Sequence, residues 1–368
     1  MKFSFSSEQD EFRSNLRRFL ADRSPTKEVR RLMETDAGWE REGWQAMNAE
    51  LGLTAVRIPE EYGGHGFGFG ELCIVLEEMG RALACAPFFA TTVLAAGAIL
   101  QAGTDEQKAA LLPGIAAGDV IATLASAEDN GRWEADATTL TADASGKLTG
   151  HKSFVIDGHT ADLIVVLARG PAGLTFYTVT GDAAGLSRRL LKTMDPTRKM
   201  ARLTFDGVQG TVLGTPGAAG PAYDRVMTEA VVCLTNEMVG GAERLREDAL
   251  AYAMMRMQFG KPIASFQSMK HKHADMLLDV EMAKSAAYYA AAALDDGDAD
   301  IVAMASLAKA CASDAYSQTA THAVQIHGGI GFTWDNDTHL WYKRAKSSDV
   351  LFGDAFWHRE NMMKHWAA

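Results

Sequence analysis

The first 117 residues carry apolar positions at helical spacing. Ser6 and Ser7 precede a run of acidic residues, and this arrangement predicts the start of a helix whose apolar face begins at Phe12. A second helical pattern surrounds Trp44, and a glycine-rich loop covers residues 58–68. Two long Ala- and Leu-rich helices are predicted over about residues 70–117.

From about residue 118 the pattern changes to short β-prone stretches that are separated by turns. These stretches cover residues 139–141, 153–156, 163–167, 174–179 and 203–205. Short strands at this spacing predict a compact sandwich or barrel of about 100 residues.

A linker rich in Gly, Ala and Pro (214–221) leads back to helical periodicity. Long helices are predicted over 230–256, 267–293 and 300–325, and a last segment runs from 340 to 366. The order of helices, strands and helices predicts an α+β fold. Its expected domains are an N-terminal all-α domain (1–117), a middle β domain (118–213) and a C-terminal four-helix-type domain (221–368).

The charge and composition exclude several classes of function. The chain has 368 residues and a formal net charge of −11, whereas a nucleic-acid or anionic-membrane surface requires a basic face. We find no signal-peptide core and no apolar run long enough for a membrane span, so we expect a cytoplasmic protein. The four cysteines lack metal-ligand spacing and are interpreted as reduced, buried thiols, with no metal site.

The stretch from Arg256 to Gln267 has the residues of an anion site. Arg256 ends one predicted helix, a Gly-Lys-Pro turn follows, and Gln267 opens the next helix. A guanidinium fork and a carboxamide that are brought together in this way can bind a diphosphate. The alternative is that both residues only cap their helices.

The glycines of Gly328-Gly329-Ile330-Gly331 do not form a Rossmann fingerprint, because they follow a predicted helix and not a strand. One interpretation is a helix stop with glycines in the left-handed conformation. The other is close approach of a ligand to a backbone without side chains.

Three stretches together resemble the acyl-CoA dehydrogenase family. They are Pro-Glu-Glu-Tyr-Gly-Gly at 59–64, Arg-Met-Gln-Phe-Gly-Lys-Pro-Ile at 256–263 with its continuation to Met276, and Gln-Ile-His-Gly-Gly-Ile-Gly-Phe at 325–332. Their order and separation match the family over almost the whole chain. The resemblance implies that family's fold and an FAD-dependent α,β-desaturation of an acyl-CoA thioester, with an electron-transfer flavoprotein as acceptor.

The resemblance also assigns residues to the cofactor. It implies that Arg256 and Gln267 contact the FAD diphosphate, and that Gln325, Gly328 and Gly329 approach its dinucleotide part. Phe259, in the same stretch as Arg256, is expected to bind the cofactor as well. In the family these residues come from one subunit, while the flavin ring lies mainly on the β domain of the dimer mate.

The chain departs from the family where the flavin ring would lie. The family's Thr-Glu-Pro is Ala127-Glu128-Asp129 here, and its Lys-x-Trp-Ile-Thr becomes Lys-Ser-Phe-Val-Ile at 152–156. Phe154 keeps an aromatic surface, but Ile156 replaces a hydroxyl that binds the flavin. Each lost hydrogen bond weakens ring binding by about 0.5–1.5 kcal/mol.

The catalytic base is the larger departure. Phe352 stands where the family places a glutamate, and a phenyl ring cannot accept a proton. Glu229 lies one residue from an alternative base position of the family, about 100° around a helix, and Asp354 lies near Phe352. Both are weak alternatives, so we assign no residue as the catalytic base.

The stretch 327–360 resembles the paired acyl-CoA dehydrogenases of bacterial steroid side-chain degradation. In that subgroup one chain of an α2β2 heterotetramer often lacks the glutamate. Our hypothesis is a base-lacking subunit that clasps FAD for a homologous, glutamate-bearing chain, which supplies the ring cradle and the base. The alternatives are a self-sufficient homo-oligomeric dehydrogenase with a displaced base, and a non-catalytic flavin-binding or structural homologue.

Overall fold

The computed structural model describes residues 5–366 and is helical from residue 7 to residue 116. Ser6 caps the first helix: its side chain accepts a hydrogen bond from the backbone N–H of Gln9, and the Gln9 side chain accepts one from the N–H of Ser6. The helices in this part are α1 (Ser7–Arg23), α2 (Thr26–Met33), α3 (Arg41–Leu51), α4 (Phe69–Ala82), the π-helix Phe89–Ala95, α5 (Ala96–Ala102) and α6 (Asp105–Ala116).

The prediction of two long helices over 70–117 is wrong. Leu83 adopts a positive φ of 49° just after α4, which stops that helix. Gly103 is extended after α5, and Thr104 caps α6 by accepting a hydrogen bond from the Gln107 N–H. The chain therefore breaks this region into shorter helices, with a buried π-helix that sequence periodicity does not reveal.

The middle part of the chain forms a mixed sheet. Its strands are β1 (Ala122–Ala125), β2 (Thr141–Ala142), β3 (Lys147–Ile156), β4 (Leu163–Gly170), β5 (Gly173–Thr180), β6 (Leu186–Leu190), β7 (Met200–Gln209) and β8 (Thr211–Leu213). The strand order is β6-β7-β3-β2-β4-β5-β8, and β1 pairs with β4 in parallel. Buried side chains such as Leu148, Ile164 and Phe205 form its core. The pattern of short strands thus predicted the β insert correctly.

The C-terminal part is again helical. Its elements are α7 (Ala219–Met255), β9 (Met257–Gln258), β10 (Lys261–Pro262), α8 (Gln267–Asp296), α9 (Ile301–His327), α10 (Thr338–Val350) and α11 (Ala355–Trp366). The predicted linker 214–221 is shorter than expected because α7 already begins at Ala219. Pro221 lies in its first turn, where the missing N–H has no helical partner to lose.

One compact unit comprises residues 5–29, 69–84 and 231–366. Within it α4 and α7 touch backbone to backbone: a Cβ added at Gly80 would lie 2.0 Å from the carbonyl oxygen of Glu237, and one added at Gly240 would lie 1.9 Å from that of Glu77. Glycine at both positions is what allows this contact.

The other compact unit comprises residues 30–68 and 85–230 and contains the sheet. Its π-helix is tied to β1, because Thr91 Oγ1 donates to the carbonyl of Ala122 at 3.1 Å. The boundaries predicted for three domains stay a prediction, although every strand of the large sheet falls between residues 122 and 213. No helix within residues 5–366 is both long and apolar enough to cross a membrane.

Candidate cofactor and active site

The end of α7, the start of α8 and the end of α9 meet at one end of the first unit. The short antiparallel hairpin β9–β10 reverses the chain after α7, and the Ile263 N–H donates to the carbonyl of Arg256 at 2.8 Å. The rings of Tyr252 on α7 and His327 on α9 stack with centroids 4.4 Å apart. The structure thereby brings Arg256, Gln267 and the glycines after α9 to the same end of the bundle.

We call Arg256, Gln267, Gln325, Gly328 and Gly329 the clasp. The side chains of Arg256, Gln267 and Gln325 are exposed, and within residues 5–366 none of them makes a hydrogen bond or an ion pair. The 30-residue helix α8 begins at Gln267 without a side-chain cap. Its free N–H groups and the positive end of its dipole favour an anion.

The clasp glycines border open space. Gly328 has a φ of +67° and ends α9, which accounts for glycine at this position. A Cβ at Gly329 would meet no atom within 4 Å in the described chain. Packing inside the chain does not require glycine at 329, so the backbone there is free to approach a molecule outside it.

Phe259 lies at the tip of the β9–β10 hairpin and is 91% exposed with a φ of +53°. Its ring contacts Phe266 edge-to-face at 6.2 Å. A strained, exposed aromatic residue beside the clasp extends the same open surface. An uncompensated guanidinium, a carboxamide and a helix N-terminus form a donor set that fits the diphosphate of FAD.

The second unit carries the positions expected to hold the flavin ring, Ala127, Phe154 and Ile156, which we call the cradle. Ala127 is buried, and its carbonyl accepts a hydrogen bond from the Ser153 N–H at 2.9 Å. Ile156 is also buried, and its carbonyl accepts from Thr123 Oγ1 at 2.6 Å. Phe154 is 38% exposed, with a φ of +57° at an irregularity in β3. Of these three side chains, Phe154 alone offers a surface for stacking.

A buried ion pair lies behind the cradle. Lys152 is fully buried and donates to Glu128 Oε1 at 2.9 Å and to the carbonyl of Ser126 at 2.7 Å. The backbone N–H groups of Thr139 and Leu140 donate to the same carboxylate at 2.8 and 2.9 Å. The pair fixes the two segments of the cradle to each other without any cofactor.

The pKa values of both groups reflect this burial. Burial by itself would raise the pKa of Glu128, but hydrogen bonds from Thr139 and Leu140 together with Lys152 outweigh it and lower the pKa to about 2. Burial lowers the pKa of Lys152 to about 8, although Glu128 opposes this shift. At neutral pH the two groups form a charged pair.

A second ion pair occupies the rim of the cradle. Asp129 accepts hydrogen bonds from Arg202 Nη1 at 2.5 and 2.6 Å and from Ser153 Oγ at 2.5 Å. His151 Nε2 lies 3.1 Å from the same carboxylate. Arg202, followed by Ser153, lowers the pKa of Asp129 to about 2. Arg202 and Ser153 at the rim are thus both hydrogen-bonded to Asp129.

Phe352 lies in a loop whose backbone is held from two sides. It is 4% exposed and has a φ of +61°. The buried Lys309 donates to the carbonyls of Asp349 and Gly353 at 2.9 and 3.0 Å, and His358 Nε2 donates to the carbonyl of Phe352 at 3.1 Å. Burial, with Lys309 nearby, lowers the pKa of His358 to about 3, so its ring is neutral. Hydrogen bonds from Lys309 and His358 thus fix the backbone of this loop around Phe352.

The alternative bases are committed to other contacts. Glu229 is 1% exposed and accepts hydrogen bonds from Arg57 Nη1 and Arg225 Nε, both at 2.9 Å, and from Gln101 Nε2 at 2.8 Å. Asp354 is exposed and caps α11 by accepting from the Trp357 N–H at 2.8 Å. Both carboxylates therefore already accept hydrogen bonds from groups within the chain.

Comparison with known proteins decides the family. Residues 6–119 match the model of the acyl-CoA dehydrogenase N-terminal domain, and residues 225–366 match that of the C-terminal domain. Over 344 residues the chain is 32% identical to the acyl-CoA dehydrogenase IpdE2 of Mycobacterium tuberculosis, which covers 94% of this chain and 92% of that relative. The chain belongs to the acyl-CoA dehydrogenase family.

Solved structures agree with this assignment. A chain of the Tcur3481-Tcur3483 steroid acyl-CoA dehydrogenase superposes with a TM-score of 0.88 at 30% identity and covers 98% of each chain. A chain of the ChsE4-ChsE5 complex from Mycobacterium tuberculosis superposes with a TM-score of 0.91 at 24% identity, over 100% of this chain and 99% of that one, which shows the shared fold. The predicted α+β fold class is confirmed, and the family is one of oxidoreductases that act on acyl-CoA thioesters.

Sequence reasoning did not predict the two ion pairs next to the cradle, Lys152–Glu128 and Arg202–Asp129. Glu128 and Lys152 were recognised as motif residues, but their ion pair was not predicted. One sequence signal could have indicated the pair: Glu128 and Lys152 are both retained, although Ala127 and Ile156 in the same two motifs differ from the family pattern. The pairing of Asp129 with Arg202 joins residues far apart in sequence and had no local signal.

Proposed function

We propose that this chain is the FAD-clasping, base-lacking subunit of a heteromeric acyl-CoA dehydrogenase. The observation that carries the proposal is the contrast between a clasp with unpartnered polar side chains and a cradle whose charges are paired within the chain. A second chain would supply the ring cradle and the base. The bound substrate would be a bulky acyl-CoA, as the name of one structural relative, a steroid acyl-CoA dehydrogenase, supports.

Each residue of the clasp has a role in this proposal. Arg256 would donate two hydrogen bonds to the diphosphate and neutralise part of its charge, and Gln267 would add a carboxamide donor beside the α8 N-terminus. Gln325 would bind the dinucleotide part, and the bare backbone at Gly329 would allow that part to approach closely. Phe259 would shield the site from the side of the hairpin.

The reaction needs a proton acceptor that this chain does not provide. α,β-Desaturation removes a proton from the α carbon and a hydride from the β carbon, and FAD, when bound, supplies the hydride acceptor. Phe352 cannot take the α-proton, so a carboxylate of the second chain would take it. In this chain Phe352 would form an apolar wall beside the acyl group.

The self-sufficient alternative requires a displaced base. Glu229 is the candidate nearest to an alternative base position, but it is bound by Arg57, Arg225 and Gln101. Releasing it would leave two guanidiniums without their carboxylate, which is costly for buried groups. The structure therefore favours the heteromer over this alternative.

The test is to purify the chain alone and together with a glutamate-bearing homologue. The heteromer predicts an α2β2 mass, fewer flavins than chains, and turnover of a bulky acyl-CoA by the complex that the single chain lacks. A stable homo-oligomer with one FAD per chain and normal turnover would contradict it. A flavin-bound protein without turnover in any pairing would favour a non-catalytic flavin-binding protein.

A further inference from the structure

The cradle is nearly closed at two of its three positions. Ala127 and Ile156 are 4% and 3% exposed, whereas Phe154 is 38% exposed. A flavin ring contacts a side chain only where that side chain has open surface. Phe154 is therefore accessible, while the other two positions are covered by neighbouring groups of the same chain. A ring reaches the whole cradle only if groups around it move.

The rim of the cradle holds a carboxylate where the family pattern has a proline. The family's Thr-Glu-Pro is Ala127-Glu128-Asp129 in this chain. Proline has no side-chain acceptor, so Asp129 introduces hydrogen bonds that the family pattern does not provide. The departures at Ala127 and Ile156 remove hydroxyl groups, whereas the departure at Asp129 adds a charged acceptor.

Asp129 joins three segments of the chain around the cradle. It lies in the same segment as Ala127, after β1. Ser153 Oγ donates to it from β3 at 2.5 Å, and Arg202 Nη1 donates to both of its oxygens from β7 at 2.5 and 2.6 Å. The carboxylate thus connects the two segments that would contact the ring, and it anchors them to a third strand.

The ion pair lies next to the accessible ring of the cradle. The register between β3 and β7 shifts between Lys152 and Val155, and Arg202 lies on β7 opposite this shift. Phe154 is in the shifted segment of β3. The hydrogen bonds between Arg202 and Asp129 therefore run beside Phe154 toward the segment that contains Ala127.

We propose that the Asp129–Arg202 ion pair, together with Ser153, keeps the cradle of this chain closed to a flavin ring. The inference rests on the proposed function, in which the ring lies on the second chain. Missing hydroxyl groups lower the affinity of a cradle but leave it open. A carboxylate that is bound on both sides of the cradle must instead give up charge-assisted hydrogen bonds before a ring can enter.

The test uses riboflavin, which carries the flavin ring without a diphosphate and so cannot use the clasp. Quenching of riboflavin fluorescence on titration with the full-length chain measures the affinity. Asp129→Ala should raise this affinity by about three- to fivefold, because the hydrogen bonds that oppose entry are gone. Phe154→Ala in the Asp129→Ala chain should abolish the gain, since Phe154 is the accessible surface for stacking.

Two further variants serve as controls. Asp136→Ala removes an exposed carboxylate of the same unit that pairs with Arg132 at 3.2 Å, and it should leave the riboflavin affinity unchanged. Asp129→Asn keeps the size of the side chain and should give a smaller gain, because a neutral amide accepts hydrogen bonds less strongly than a carboxylate. This variant carries the test if Asp129→Ala does not fold.

The proposal is overturned if neither Asp129 variant binds riboflavin more tightly than the unaltered chain, or if Asp136→Ala gives the same gain. Neither outcome bears on the clasp, because riboflavin lacks the groups that the clasp would bind. If the gain appears while Arg256→Ala leaves FAD occupancy unchanged, the ion pair does close the cradle and the proposed function is the part that fails.

Discussion

The clasp and the cradle use their polar groups in opposite ways. In the clasp, Arg256, Gln267 and Gln325 extend into solvent without a partner among the described residues. Behind the cradle and at its rim, Glu128 is bound by Lys152 and Asp129 by Arg202. The polar side chains of the clasp therefore remain available to a ligand, whereas the charges next to the cradle are already paired within the chain.

This difference bears on how an acyl-CoA dehydrogenase site is divided between chains. Random loss of function in a homo-oligomer would damage both regions, because both serve the same site. Here the donors that suit a diphosphate have no partner among the described residues, whereas Ala127, Ile156 and Phe352 stand where the resemblance places ring-binding hydroxyls and the base. The ion pairs Lys152–Glu128 and Arg202–Asp129 form within the chain, so we expect them to affect its stability whether or not a flavin binds.

The largest expected effect is the loss of stability when the Lys152–Glu128 ion pair behind the cradle is broken. Glu128→Gln would leave Lys152 charged and buried without its carboxylate, and we expect the sheet to lose about 3–5 kcal/mol of unfolding free energy. Hydrogen exchange of peptides from β3 and β7 measures this loss locally. The double variant Glu128→Gln/Lys152→Met should be more stable than the single variant, because both charges are removed.

Glu134→Gln is the control for that experiment. Glu134 is 40% exposed and pairs with Arg132 on the surface, so its loss should change stability by no more than about 0.5 kcal/mol. If Glu128→Gln behaved like Glu134→Gln, the cradle would not depend on its ion pair.

The next largest effect is a loss of FAD affinity when the clasp is altered, with no change in the stability of the fold. Arg256→Ala removes an exposed side chain that makes no hydrogen bond or ion pair within residues 5–366, and we expect FAD affinity of the assembled protein to fall by about 1.5–3 kcal/mol. Flavin occupancy after dialysis against known FAD concentrations measures it. Arg359→Ala, which removes an exposed guanidinium of the same unit that pairs with Asp314, should have no effect. Unchanged occupancy after Arg256→Ala would remove Arg256 from the site.

Much of the fold followed from the sequence pattern, because long uninterrupted helices such as α8 and α9 and short β-prone stretches separated by turns are easy to recognise. The break after α4 did not, since it depends on Leu83 in a left-handed conformation that residue type does not predict. The contact of α4 with α7 through Gly80 and Gly240 depends on pairing two glycines 160 positions apart in the chain numbering, which one sequence cannot reveal.

The clasp was easier to predict than the state of the cradle. Arg256 and Gln267 flank one turn, so their proximity is local and readable. Glu229 is hydrogen-bonded by Arg57 and Gln101, which lie more than 100 residues away in the sequence. Sequence spacing could place Glu229 near a possible base position but could not predict these contacts. The assignments of the clasp and cradle residues to FAD remain predictions.

A smaller effect is the loss of stability of the sheet that we expect as the pH falls. The pKa values of Glu128 and Asp129 are about 2, below the usual 4.5 and 3.8, so the unfolded chain takes up protons first as the pH falls. Their contribution is complete above about pH 4.5 and is lost as the pH approaches 2. Hydrogen exchange of β3 at pH 5, 4 and 3 should therefore show decreasing protection. Asp129→Asn should flatten this dependence, and equal protection at pH 5 and 3 would contradict the pairing.

The smallest expected effect is a gain in turnover when a glutamate is placed at residue 352. Phe352→Glu places a carboxylate in a loop that Lys309 and His358 already hold, at a cost in unfolding free energy of about 1–2 kcal/mol. The measurement uses a complex in which the glutamate of the second chain is replaced by glutamine, so that turnover by the glutamate at residue 352 is not masked by that of the second chain.

We expect turnover of that complex to rise above the level of a matched Phe352→Gln variant but to stay well below that of the unaltered enzyme. The carboxylate can accept the α-proton, but the cradle still has Ala127 and Ile156 where the family has hydroxyl groups, and several missing hydrogen bonds of about 0.5–1.5 kcal/mol each weaken its hold on the ring. Full turnover would mean that the cradle binds a flavin as well as its counterpart does, and the contrast between the two regions would then have no functional meaning. Equal turnover of the Glu and Gln variants would mean that residue 352 does not reach the substrate.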